Sequence, residues 1–288
     1  LKNYEESNQF FEKAYLFSED LQRNYALEAF SLISNPTVKP YRGEDFELVQ
    51  IHYYKALNFL FQIQFENALV ECRRIDIKLN ELNDKYSKRK NRYKREAFAM
   101  NLVGIIYEET GDYNNAFIAY RNAYEIYKES YKPFFGVDAP VQLKKDLLRT
   151  AYLNGFTENL EKYEKEFGFK YEHQINEGGE LVFFWHNGLG PVKDEWSINF
   201  FVVKGKGGLV TFENEELGLS FPFFLEDDEK SDALGDLKVV RVAFPKYLER
   251  KPYFKSAELF VSGKKHSLEL AQNINEIAFK TLEDRMLR

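Results

Sequence analysis

What this chain holds little of narrows its function first. A single cysteine in 288 residues, Cys72, excludes an internal disulfide framework and any CxxC metal or redox site. The four histidines, His52, His173, His186 and His266, form no HExxH arrangement and no pair at metal-ligand spacing on one helix. Apolar runs are short: Ala56–Ile63 is interrupted by Asn58 and Gln62, and no stretch approaches the length of a membrane-spanning helix. Basic residues are in the minority, 40 against 46 acidic, and the net charge of −6 argues against nucleic acid as the main partner. No GxSxG motif is present. Gly205-Lys206-Gly207-Gly208 lacks P-loop spacing and joins two predicted strands, so it reads as a hairpin connection rather than a phosphate cradle. No cofactor, metal site or catalytic residue is implied.

What is present is a folded chain of 44% hydrophobic and 30% charged residues, rich in Tyr and Phe, and long enough for two cores. Residues 1 to about 165 show apolar positions at three- and four-residue spacing, with glycine nearly confined to turns. The clearest unit is Met100–Ala123. Gly104 and Tyr107 fall on a first helix, Thr110-Gly111-Asp112 makes the turn, and Tyr113, Ala116, Tyr120 and Ala123 fall on a second. Gly104 and Ala116 are small enough for two helices to cross closely, and Gly111 can take positive φ at a helix C-terminus. This spacing is similar to that of a tetratricopeptide (TPR) helix pair.

A weaker copy places Ala56, Phe59, Phe65, Ala68 and Cys72 at equivalent positions, offset by the polar insert Asp84–Arg95. Tyr4, Ser7, Phe11 and Ala14 resemble a second helix whose first would precede Leu1. Breaks are expected at Asn35–Gly43 and at 131–140, followed by helices over Val141–Asn154 and Glu158–Phe167. From Glu180 the pattern turns strand-like. Leu181–Trp185, Trp196–Val203, Gly208–Phe212, Leu219–Phe224, Leu237–Phe244 and Ala257–Val261 are aromatic and β-branched, with Trp196–Val203 expected to be covered on both faces. Ser267–Leu287 returns to a helical period. The expected fold is α+β: TPR-like antiparallel helix pairs over 1–170, then a small, mainly antiparallel β domain over 178–288 carrying a C-terminal helix.

Several polar residues sit on otherwise apolar helices and need partners if buried. Glu47, Asn58, Glu71, Arg73 and Arg74 read either as an ion-pair network between helices or, with Tyr53, Asn101 and Glu108, as the lining of a binding groove. The groove candidates are therefore Glu47, Tyr53, Asn58, Arg74, Asn101 and Glu108. Cys72 falls on a packing side and reads as core. The basic run Lys85, Lys88, Arg89, Lys90, Arg92, Lys94 and Arg95 and the acidic run Glu226–Glu229 read as solvated inserts.

The segments YRGEDFELVQIHYYKALNFL, ALVECRR, GIIYEETGDYNNAFIAYRNA, GELVFFWHNGLGPVK and INEIAFKTLEDR, in that order, resemble a family of uncharacterised bacterial TPR-containing lipoproteins. The resemblance implies export and a periplasmic, outer-membrane location through an N-terminal lipid anchor outside this chain; a cytoplasmic location stays open. The expected function is non-enzymatic binding of a protein or peptide in the bacterial cell envelope. The alternative is a small-ligand binder or enzyme using Glu180, His186, Asn187 and Lys193 in the β domain or at an interdomain cleft.

Overall fold

The computed structural model describes residues 3–20, 41, 43–85, 92–173, 179–224 and 238–286. The fold mixes helices with an antiparallel sheet and divides into two compact units. One unit combines residues 1–19, 43–191 and 249–288; the other comprises 20–42 and 192–248. The expected breaks at Asn35–Gly43 and most of the basic and acidic inserts lie outside the described residues.

The first unit is a layer of helices: α1 (Tyr4–Asp20), α2 (Asp45–Phe61), α3 (Phe65–Lys85), α4 (Ala97–Glu109) and α5 (Tyr113–Ile126). A π-helical turn, Tyr127–Tyr131, carries α5 into α6 (Lys132–Phe135), followed by α7 (Val141–Leu153), α8 (Thr157–Phe167) and α9 (Ile274–Met286). Starts are chemically marked. Glu47 accepts the Glu44 N–H at 2.7 Å ahead of α2, Glu96 accepts the Phe98 N–H at 3.0 Å, and Asp112 accepts the Asn115 N–H at 3.1 Å. After α4, Gly111 takes φ of 77°, and Asp112 donates back to the Tyr107 carbonyl at 2.8 Å, closing the helix end. α4 and α5 then cross so closely that a Cβ on Gly104 would lie 2.4 Å from the Tyr120 ring.

The core of this unit is formed by Val49, Ala56, Ala68, Ile75, Leu102, Ile106, Ala116, Ala123, Leu147 and Leu148. α1 lies on α2 and α3 through both polar and ring contacts: Asn58 donates to Ser7 and Asn8, Lys78 donates to Glu19, and Tyr4 stacks on Phe61 with centroids 5.0 Å apart. No residue of α1 is buried.

The other unit is a four-stranded antiparallel sheet in the order β3-β2-β1-β4, from β1 (Val192–Lys204), β2 (Leu209–Asn214), β3 (Leu219–Phe224) and β4 (Val239–Leu248). The glycine-rich loop is the β1–β2 hairpin, closed by the Gly205 N–H donating to Leu209 at 2.7 Å. Pro222 and Pro245 sit on β3 and β4, the two edge strands, where a missing N–H costs least. The register collects Trp196, Phe200, Phe212, Phe221, Phe223, Val240 and Phe244 on one face, with Trp196 stacked on Phe244 at 4.8 Å. Lys193, Glu195, Ser197 and Asn199 alternate onto the other. β1 is thus a one-sided strand, correcting the expectation that both its faces are covered.

Two further differences from the sequence reading concern the C-terminal half. Leu181–Trp185 is irregular chain, with no strand partner among the described residues. The segment from Glu249 onward joins the helical unit, including a small hairpin of β5 (Glu258–Val261) and β6 (Lys264–Ser267). α9 packs on α2 and α6 within the helical unit, so a division at 170/178 with α9 in the β domain differs from the one observed. The physical reason is complementary chemistry. Ile277, Ala278 and Leu282 are buried, while Asp284 accepts from the Arg92 side chain at 2.9 Å and Arg285 reaches Glu44 at 2.7 Å.

Candidate functional site: the α2–α4–α7 face

Three polar clusters hold the helical unit together. In the first, Glu71 on α3 meets the His52 imidazole at 2.8 Å and the Lys55 ammonium at 2.9 Å, all three almost fully buried. Glu12 of α1 also reaches Lys55, and Arg74 closes on Glu71 at 3.1 Å. Burial works against ionising Glu71, but the hydrogen bonds from His52 and Lys55 outweigh it and hold the carboxyl below its usual range.

The second cluster surrounds Glu96, 2% exposed, which accepts from Tyr93 at 2.5 Å and from Gln272 at 2.8 Å. Burial pushes its carboxyl up against these donors. It ties the start of α4 to the segment entering α9.

The third cluster is more open. Arg149 of α7 donates to both oxygens of Glu108 on α4, at 2.6 and 2.7 Å, and reaches Asp146 at 3.0 Å. Tyr120 donates to Glu108 at 2.8 Å, and Gln142 to Asp146 at 2.8 Å. Burial pushes the Asp146 carboxyl up to about 6, with Arg149 offsetting only part of the rise. Since the folded chain holds this proton more tightly than the unfolded one, Asp146 contributes stability as pH falls through about 6 and withdraws it as pH rises. Thermal midpoints followed by circular dichroism from pH 4.5 to 7 are expected to carry this slope, and Asp146→Asn is expected to flatten it. An unchanged slope in that variant would show that other groups set the pH response.

Above these clusters runs a feature that the sequence reading took for a strand. Residues Gly179–Gly190, in neither helix nor strand, form a strap that contacts α7, α4 and α2 in turn. Glu180 comes within 3.9 Å of Arg149. Phe184 sets its ring edge-on to Phe98 of α4, centroids 5.4 Å apart. His186 meets the Tyr53 hydroxyl of α2 at 3.0 Å and tilts against the Tyr54 ring at 5.6 Å. Burial lowers the His186 pKa, favouring the neutral imidazole beside the Tyr53 hydroxyl. Downstream, Asn187 donates to the Phe254 carbonyl at 2.7 Å and Arg250 donates to Gly190 at 2.8 Å. Just upstream, His173 stacks on Tyr152 of α7 at 4.9 Å.

Of the six groove candidates, the structure brings three to this face. Tyr53 lies under His186, Glu108 pairs with Arg149, and Asn101 lies between Phe98 and Glu108 in the helical sequence 98, 101, 105, 108 of α4. Asn101 is buried and its amide oxygen has no hydrogen-bond partner. The other three are elsewhere. Asn58 and Arg74 belong to the seam beneath α1, and Glu47 serves the start of α2. Phe98, Arg149, Tyr152 and Phe184 were missed. Arg149 offered little signal, because the helix LKKDLLRTAYL carries Lys144, Lys145 and Asp146 as well.

Glu180, His186 and Asn187 are the anchors of the strap, whereas Lys193 belongs to β1. Cys72 is buried with its thiol pushed up to about 12, which suits a core residue and not a nucleophile. Among the described residues, no group of three or more His, Cys, Asp or Glu could hold a metal ion, and no helix is long and apolar enough to cross a membrane. An open depression of about 630 Å³ beside α6 is lined by Lys132, Asp138, Lys144 and Glu269. Its charges are largely spoken for: Lys132 pairs with Asp138 at 2.9 Å, and Glu269 accepts the Val141 N–H at 2.5 Å. The sequence matches no protein-family model, and comparison with curated proteins gives no match.

Proposed function

We propose that the chain is a non-enzymatic recognition protein whose TPR-like helical unit binds an extended protein or peptide segment along the α2–α4–α7 face. One observation carries this reading: the face already holds a stretch of polypeptide that is neither helix nor strand, gripped by aromatic rings and one arginine. Side chains on successive helices meet alternate residues of an extended chain, and rings fixed by packing bind with little ordering cost. The resemblance to TPR-containing lipoproteins supports a place in the bacterial envelope, anchored by lipid outside this chain, as part of the same proposal.

Site-specific photo-crosslinking in cells tests it. A photoreactive residue at Tyr54 or Tyr152, both well exposed on this face, is expected to give discrete protein adducts, whereas one at exposed Ile77 of α3 gives none. Adducts of equal yield at all three positions would overturn the assignment of the face.

A further inference from the structure

We propose that the strap Gly179–His186 is an internal ligand of the α2–α4–α7 face, and that a partner peptide of matching chemistry binds by displacing it. The inference rests on the peptide-binding reading of this face and adds the class of ligand and its control. The matching chemistry is read from the strap's own anchors. It is an extended segment with a carboxylate, an aromatic ring four residues later, and an imidazole or second ring two residues beyond that. Arg149, Phe98 and the Tyr53–Tyr54 pair receive these in order.

Three features make the strap exchangeable. Among the described residues, no backbone hydrogen bond joins Gly179–Gly190 to any other backbone, so its release breaks no ladder or helix. Its grip is confined to a few side chains: Leu181 is 68% exposed, and Val182 and Phe183 are about half exposed. Among the described residues its one ionic anchor is long, at 3.9 Å, and falls on an arginine already satisfied by Glu108 and Asp146.

The fourth feature favours the incoming chain. The buried amide oxygen of Asn101 lacks a donor while the strap is in place. Such an orphan is costly, and a peptide bringing one backbone N–H to it gains what the strap forgoes. The tethered strap competes from an effective concentration on the order of millimolar, so its occupancy weakens any external ligand by the same factor by which it saturates its own site.

The test uses the full chain and a fluorescein-labelled synthetic peptide with the sequence of Gly179–Pro191. Fluorescence anisotropy is expected to show at least about 10-fold tighter binding to Phe184→Ala/His186→Ala than to the unaltered chain. Asn187→Ala/Arg250→Ala, which loosens the strap downstream without touching the face, is expected to shift affinity in the same direction; circular dichroism confirms that both variants fold. Adding Asn101→Ala to either is expected to weaken the peptide about 5- to 10-fold, as loss of one hydrogen bond does. In a Trp196→Phe background, binding of an unlabelled peptide with Phe in place of its tryptophan is expected to red-shift the emission of Trp185 as the strap leaves.

Equal affinity of folded variants and unaltered chain, with cross-links still formed at Tyr54 and Tyr152, would overturn the internal-ligand proposal while leaving the peptide-binding reading intact. No binding to any folded variant, together with no cross-linking at those positions, would overturn both. A loosened variant that dimerises with concentration in sedimentation, instead of taking up the peptide, would assign the face to a second copy and also overturn the proposal.

Discussion

Glu71→Leu is expected to destabilise the helical unit by about 3–5 kcal/mol, the range for removing one partner of a buried ion pair. The lost carboxylate leaves Lys55, 3% exposed, with only the half-exposed Glu12 among the described residues, and takes from His52 the carboxylate it meets. The double variant Lys55→Met/Glu71→Leu is expected to recover most of the loss, because two apolar chains of similar volume remove the desolvation cost along with the attraction. Urea unfolding followed at 222 nm reads both. Additive losses in the double variant would mean that the two charges do not act as a pair. The pH dependence has a defined sign as well. Glu71 titrates below the ordinary carboxylate range in the folded chain, so its contribution is complete at neutral pH and fades as pH falls through that lowered value. The Asp146 contribution runs the opposite way.

Gly104→Ala is the second large effect, and it runs against helix propensity. In an exposed helix the change gains about 1 kcal/mol. Here the added methyl carbon would sit 2.4 Å from two carbons of the Tyr120 ring. That ring is 1% exposed and its hydroxyl is committed to Glu108, so it cannot swing aside without breaking the Arg149 cluster. Overpacking of this kind costs about 1–3 kcal/mol and at times more. A net loss of about 2 kcal/mol is expected, lowering the thermal midpoint by roughly 5 °C for a unit of this size. Tyr120→Leu in the same chain is expected to relieve the clash, so that the double variant is less damaged than the sum of the two singles. Strict additivity would show that the helices separate rather than press on the ring.

The helical half was legible because its signals are local. Gly104, Gly111, Ala116 and Tyr120 announce a tight helical hairpin by size and spacing alone, and the observed ends fall within a residue or two of those expected for α7 and α8. Of the polar set on apolar helices, Glu71 and Arg74 are paired, as one of its two readings expected, because a buried charge without a partner is prohibitively costly, whereas Arg73 is exposed. What could not be read was direction in space. Leu181–Trp185 has the composition of a strand, and β propensity records fitness for an extended, half-buried surface without saying whether a neighbouring strand supplies it. Helix side chains supply it here. The placement of α9 was hidden for a related reason. Its apolar stripe would suit a sheet or a helix layer, and the deciding contacts, Arg92 with Asp284 and Gln272 with Glu96, join residues more than 170 positions apart. The groove candidates divided along the same line: Tyr53, Asn101 and Glu108 share a face through tertiary packing, while Asn58 and Arg74 were claimed by α1.

The insertion of the sheet between Pro191 and Glu249 gives the molecule a timetable. During synthesis, α1 to α8 leave the ribosome well before the segment that completes them, and the whole of β1 to β4 is made in the interval. Until Ala271–Met286 arrives, the Tyr127 hydroxyl lacks its carbonyl, Glu96 lacks Gln272, and the sides of α2 and α6 destined for α9 stay wet. The helical layer therefore cannot be finished in the order in which it is written, and a nascent chain halted after Leu248 carries an open seam that chaperones or proteases will meet before any binding partner does.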